Sequence, residues 1–135
     1  MATKLNEIYK CEVCGNIVKI LNTGEGELVC CNQPMQIQEE NTINTSKEKH
    51  VPFIKIQDDI IYIQIGETMH PMEEKHYIEW IEVITDNDIT LKKQLNPNQK
   101  PKAEFIIPIN SQILQVRAYC NIHKLWSKTL DNIEN

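Results

Sequence analysis

Nine side chains in this sequence have the chemistry to bind a soft or borderline metal, five cysteines and four histidines, and their spacing sorts them into two groups. Cys11, Cys14, Cys30 and Cys31 all fall within the first 31 residues, whereas His50, His70, His76, Cys120 and His123 follow. That asymmetry predicts two sites in two modules. An odd number of cysteines argues against a disulfide framework and for metal binding or redox chemistry. Cys11-x-x-Cys14-Gly15 reads as a turn whose backbone amides donate to sulfur, with Gly15 relaxing the chain where it passes the ion. Cys30 and Cys31 then supply the other half of a tetrahedral four-sulfur sphere, which suits zinc or a single iron. The adjacent pair weighs against an ordinary zinc ribbon, which uses two Cys-x-x-Cys knuckles; vicinal cysteines strain the angles at the metal.

The second group has a different character. His50 sits in Glu48-Lys49-His50-Val51-Pro52, His70 and His76 bracket Pro71-Met72-Glu73-Glu74-Lys75, and His123 follows Cys120 by three positions. Four imidazoles and one thiolate cannot make a closed tetrahedral site. Five ligands leave the sixth octahedral position free for a small molecule, which points to a reactive iron centre. A thiolate opposite that position would push electron density onto whatever binds there, as in thiolate-ligated haem enzymes.

The elements that must position these residues read as β-structure. Residues 1–37 form a small metal-stapled module, with short strands at Tyr9-Lys10 and Leu28-Val29 leading into cysteines. Residues 38–49 are polar, lack a sustained apolar period, and read as linker and active-site loop. Residues 50–135 hold β-branched segments at 53–56, 60–65, 77–85, 89–95, 103–109 and 113–119, separated by Asp58-Asp59, Asp86-Asn87-Asp88 and Asn96-Pro97-Asn98. Six or seven short strands at this spacing predict an antiparallel sandwich of immunoglobulin-like type. Alternation places Leu114, Val116, Ala118 and Cys120 on the core face of one strand and Gln115, Arg117 and Tyr119 on the other. Trp80, Trp126, Tyr77 and Phe105 are assigned to packing.

The net charge of −5 and aromatic content of 6% offer neither a basic stripe nor a stacking platform, so nucleic acid is not an expected partner. No stretch has the roughly 20 uncharged apolar residues of a membrane span, and the start MATKLNEIYK lacks a signal-peptide run, so a cytoplasmic protein is expected.

The cysteine module resembles desulforedoxin, a small mononuclear iron protein, over about the first 36 residues, including Gln33-Pro34-Met35 after the vicinal pair. Asn32 stands where relatives usually have glycine, a mild departure because asparagine tolerates the left-handed conformation. Glu-Lys-His-Val-Pro, His-Pro-Met-x₃-His-Tyr-Ile-Glu-Trp-Ile-Glu and Cys-Asn-x-His-x-Leu-Trp together resemble superoxide reductase from His50 to Trp126. The combination is similar to the two-iron form of that family, desulfoferrodoxin. The resemblance implies an FeCys₄ site on Cys11, Cys14, Cys30 and Cys31. It also implies an FeHis₄Cys site with His50, His70, His76 and His123 equatorial and Cys120 axial. It implies reduction of superoxide to hydrogen peroxide without oxygen, a homodimer, and an electron donor such as rubredoxin or a related NAD(P)H-linked protein. Lys49 would attract superoxide and help hold a water for protonation, and Glu48 would coordinate ferric iron after turnover and displace peroxide.

Three other readings compete. One is a rubredoxin-like electron carrier whose second metal is structural, another is superoxide dismutation at the same iron, and the third is a zinc-ribbon adaptor. Lys47, Lys49, Lys75 and Lys124 each lie within three positions of a histidine of the second group, and Lys124 replaces a glycine common in relatives. A basic rim on an acidic protein would steer superoxide, in which case Lys124→Gly lowers the second-order rate and weakens its salt dependence. Equally, Lys124 is a solvated side chain too far from the iron to matter.

Overall fold

The computed structural model describes residues 2–42 and 50–129 of the chain. Glu48 and Lys49, with Lys47, lie outside the described residues. The chain divides into two compact units, Met1–Glu39 and Glu40–Asn135.

In the first unit, apolar residues are too sparse to build a core. Ile8, Ile20 and Cys11 are its buried apolar side chains, while Val13, Leu21 and Val29 are exposed. So small a core needs a metal staple to hold it. Five very short strands form where two were expected: β1 (Ile8–Lys10), β2 (Ile17–Lys19), β3 (Val29–Cys30), β4 (Gln33–Pro34) and β5 (Gln36–Ile37). They make a three-stranded sheet in the order β2-β1-β5 and a separate β3-β4 hairpin. Strands of two or three residues are shorter than the window in which alternation can be read, which is why pattern analysis passes over them.

The second unit is an antiparallel sandwich of seven strands. They are β6 (Pro52–Gln57), β7 (Ile60–Ile65), β8 (Ile78–Thr85), β9 (Thr90–Gln94), β10 (Lys102–Ile106), β11 (Ile113–Cys120) and β12 (Lys124–Thr129). One sheet runs β10-β7-β6 and the other β12-β11-β8-β9. Sequence patterning anticipates six of the seven; β12 is masked because Lys-Leu-Trp-Ser-Lys-Thr has just two apolar residues, adjacent rather than alternating, and follows a turn directly. The turns fall where expected, with Asp58, Asp88 and Asn98 in the left-handed region.

Ile61, Ile63 and Ile65 on β7 alternate inward, and they meet Ile81 and Val83 of β8 and Val116, Ala118 and Cys120 of β11 in one core cluster. Each of these isoleucines and valines contributes about 1.5–3 kcal/mol by leaving water. Leu114 departs from the expected face. A register shift between Ile113 and Gln115 puts Leu114 out at 47% exposure and Ile113 in at 3%. The opposite face of β11 is also buried: Arg117 donates from Nε to Glu82 Oε1 at 2.7 Å, and Tyr119 stacks on Trp80 with ring centroids 4.7 Å apart.

Candidate metal centres

The four-cysteine site is assembled by two tight turns. Cys11 follows β1, and its N–H donates to Asn16 C=O at 2.8 Å while Gly15 N–H returns to Cys11 C=O at 2.9 Å. Gly15 has φ +84°, with nothing near a hypothetical Cβ, so backbone conformation rather than space requires glycine. The Cys14 N–H points at Cys11 Sγ from 3.5 Å. Cys30 ends β3, and Cys31 and Asn32 both take left-handed φ, 53° and 61°. That kink turns the vicinal sulfurs to one side, and it explains the asparagine.

Sulfur spacing tests the fit. Bonds of about 2.3 Å to a tetrahedral ion place sulfurs about 3.8 Å apart. Cys14 Sγ lies 3.6 Å from Cys30 Sγ, which lies 4.0 Å from Cys31 Sγ. Crowding spreads the thiol acidities. The Cys14 amide holds Cys11 down at about 6, whereas hydrogen bonding with Cys14, and then with Cys11 and Cys30, pushes Cys31 up to about 12. A cation among the sulfurs favours the thiolate at Cys31 as well as at Cys11.

The histidine–cysteine site lies at one end of the sandwich. His50 precedes β6, His70 follows β7, His76 precedes β8, Cys120 closes β11 and His123 sits in the turn into β12. Their donor atoms all lie within 4.8 Å of one another. The rings meet edge to face in a closed cycle, His50 to His70 to His76 to His123 and back, with centroids 4.4, 4.8, 5.2 and 4.7 Å apart. This is a square of imidazoles in which His50 faces His76 across the centre and His70 faces His123.

Bonds of about 2.1 Å at right angles set neighbouring nitrogens about 3.0 Å apart. His70 Nε2 and His123 Nδ1 lie 2.9 and 3.1 Å from His50 Nε2. So His123 presents its δ nitrogen while His50 and His70 present ε nitrogens, a distinction the sequence does not carry. His76 Nε2 is buried without a hydrogen-bond partner among the described residues, as a lone pair reserved for an ion would be. Cys120 Sγ is 3.6 Å from His70 Nε2 and 3.9 Å from His123 Nδ1. It belongs to the hydrophobic core at 0% exposure, so the sulfur approaches the square from inside the protein. His76 and His123 are half-buried, giving the square an edge toward solvent.

Neighbouring groups fix these rings. His70 Nδ1 pairs with Pro71 C=O at 2.7 Å, which puts its proton there and frees Nε2. Trp126 stacks on His50 with centroids 4.6 Å apart and 16° between planes, and its Nε1–H donates to His123 C=O at 2.9 Å. Reading Trp126 as core filler misses this link between two rings of the square; its position three residues after His123 is the signal that could have suggested it. Tyr77 and Phe105 are partly buried. Lys75 and Lys124 are exposed beside His76 and His123.

Comparison with known proteins follows the same division. Residues 42–129 match the family model described as Desulfoferrodoxin, and residues 3–37 match Desulfoferrodoxin, N-terminal domain. The chain is 53% identical to a desulfoferrodoxin of Syntrophotalea carbinolica, across 94% of this chain and 98% of that one. Its fold is shared with the crystal structure of the superoxide reductase from Treponema pallidum, at a TM-score of 0.77, covering 91% of this chain and 97% of that one at 21% identity. A superoxide reductase (1Fe-SOR) from Giardia intestinalis is 36% identical, with a TM-score of 0.54, over 62% of this chain and 98% of that one.

Proposed function

The chain belongs to the desulfoferrodoxin family, and from that premise and the two donor sets we propose that it is a superoxide reductase carrying two mononuclear iron sites. The observation that carries the reading is the square of four imidazoles with a core-buried thiolate behind it. Five donors would leave an iron ion room for a small molecule, which a structural staple does not need. Iron bound there supplies one electron, so that superoxide and two protons become hydrogen peroxide while ferrous iron becomes ferric.

The ligands we assign are His50, His70, His76, His123 and Cys120 at that centre, and Cys11, Cys14, Cys30 and Cys31 at the other. The protein's part in turnover is to hold the donors in place and to raise the anion concentration at the open edge. Lys75 and Lys124 are exposed and adjoin His76 and His123 in sequence, and Lys49, next to His50 in sequence, would add a third cation and help hold a water for protonation. Glu48, two residues before His50 in sequence, would offer ferric iron a carboxylate in place of peroxide, because a hard anion suits a hard cation. Free thiols in both sites fit a reducing, cytoplasmic compartment. A homodimer reduced by a rubredoxin-type protein completes the reading by family resemblance.

The test is to mix anaerobically reduced, iron-loaded protein with a known amount of superoxide and to count both products. One peroxide per superoxide with no oxygen is expected. Half a peroxide with half an oxygen means dismutation instead, and no reaction above the spontaneous background leaves an electron carrier with a structural second metal.

A further inference from the structure

Asn121 lies between Cys120 and His123 and is placed at the junction of two ligand-bearing segments. The β8–β11 ladder pairs Tyr119 with Trp80 but Cys120 with Ile78, so the register slips by one residue where the strands reach the metal centre. Beyond that bulge the ladder is continued by Asn121. Its backbone N–H donates to Tyr77 C=O at 3.2 Å. Its side chain then takes over: Oδ1 accepts from Tyr77 N–H at 2.9 Å, and Nδ2 donates to Lys75 C=O at 3.0 Å.

Lys75 and Tyr77 are the residues on either side of His76. The carboxamide thus grips the peptide before and after one corner of the imidazole square, while the backbone of the same residue is covalently joined to Cys120. Other bonds shape the 72–78 loop itself: Glu73 and His76 exchange backbone hydrogen bonds at 2.9 and 3.1 Å, and Ile78 N–H points at Met72 Sδ from 3.4 Å. Those bonds make a rigid hairpin turn. Asn121 connects that turn to the one that carries the sulfur and the δ nitrogen.

We propose that Asn121 is a positioning residue of the histidine–cysteine centre, acting through His76 and setting that ring square to Cys120 and His123. The proposal rests on the iron reading above and deepens it. Asparagine suits the role because it offers one acceptor and one donor on a short stem, matching a backbone N–H and a backbone C=O two residues apart. Aspartate keeps the acceptor but sets a carboxylate oxygen against the Lys75 carbonyl. Alanine removes both contacts. Neither change touches a metal ligand.

The experiment compares full-length, iron-loaded parent, Asn121→Ala, Asn121→Asp, His76→Ala and the double variant. The readouts are iron per chain under chelator competition, the sulfur-to-iron absorption of each site and the midpoint potential. The four-cysteine site is the internal reference. Asn121→Ala is expected to weaken iron at the histidine–cysteine site by about tenfold to a hundredfold, and to shift its absorption band and potential. The other site's absorption stays unchanged. Asn121→Asp falls between alanine and parent, and serves as the reading if the alanine variant does not fold. Because the effect runs through His76, Asn121→Ala adds little in the His76→Ala background. Affinity, band and potential equal to the parent in either Asn121 variant overturn the proposal, as does a full-sized Asn121→Ala effect without His76. A parent that holds iron only on its cysteines overturns the reading of the centre itself, a result distinguishable by iron count before any variant is made.

Discussion

At the scale of single residues, Lys124 is where charge and backbone geometry separate. Lys124 is exposed and directly follows His123, but its φ is +69°, in the region that favours glycine. A left-handed lysine costs roughly 1–2 kcal/mol, so Lys124→Gly changes strain and charge together and is a confounded test of steering. Lys124→Gln removes the charge and keeps the strain. One unit charge about 10 Å away in water is worth about 0.4 kcal/mol, so Lys124→Gln is expected to slow the reaction with superoxide about twofold at low salt and to flatten its ionic-strength dependence. Stopped-flow rates across a salt series check this, and rates superimposable on the parent's discard steering by Lys124. Lys124→Gly should match that kinetic effect while raising the melting temperature. The nine donor residues themselves are legible in the letters, since cysteine and histidine have few other reasons to cluster. The nitrogen that His123 presents, the Trp126 stack and the Asn121 clamp are not legible. Each depends on which backbone groups the fold brings near, and one-dimensional spacing carries no such information.

At the scale of elements, sequence patterning succeeds where strands are long and half-buried and fails where they are short or bulged. β7 reads clearly because Ile61, Ile63 and Ile65 alternate without interruption. β11 misleads because both its faces are buried and a bulge reverses the order of Ile113 and Leu114. Strict alternation assigns Leu114 to the core and gives Leu114→Ala the larger cost. The structure assigns the reverse. Ile113→Ala should lose about 2–5 kcal/mol of unfolding free energy, and Leu114→Ala about 0.5 kcal/mol or less. Paired urea melts with unchanged m values decide between them, and equal losses would place both side chains inside. Five ligands from distant parts of the chain meet because antiparallel pairing puts the start of β6 beside the end of β7 and the start of β8 beside the end of β11.

At the scale of the whole molecule, the two metal sites differ in when they can exist. The cysteines span 21 positions, from Cys11 to Cys31, in a unit whose buried apolar side chains are Ile8, Ile20 and Cys11. That unit gains its fold by capturing an ion. The five donors of the other centre span 74 positions, from His50 to His123, and are brought together by a cluster of thirteen buried residues, of which Cys120 alone is a donor. During synthesis, the first site is therefore complete and accessible while most of the second has yet to be translated. Four thiolates take whichever thiophilic cation arrives first, whereas a square of imidazoles set by the sandwich selects by shape. Expression in zinc-rich, iron-poor medium should yield chains with zinc on the cysteines and iron, where iron is present, on the histidines. Native mass spectrometry with element analysis reads the distribution, and zinc divided equally between the sites would contradict it. Such half-exchanged molecules should still reduce superoxide in a first turnover, so a shortage of iron would reach the cysteine site before it reached the detoxifying one.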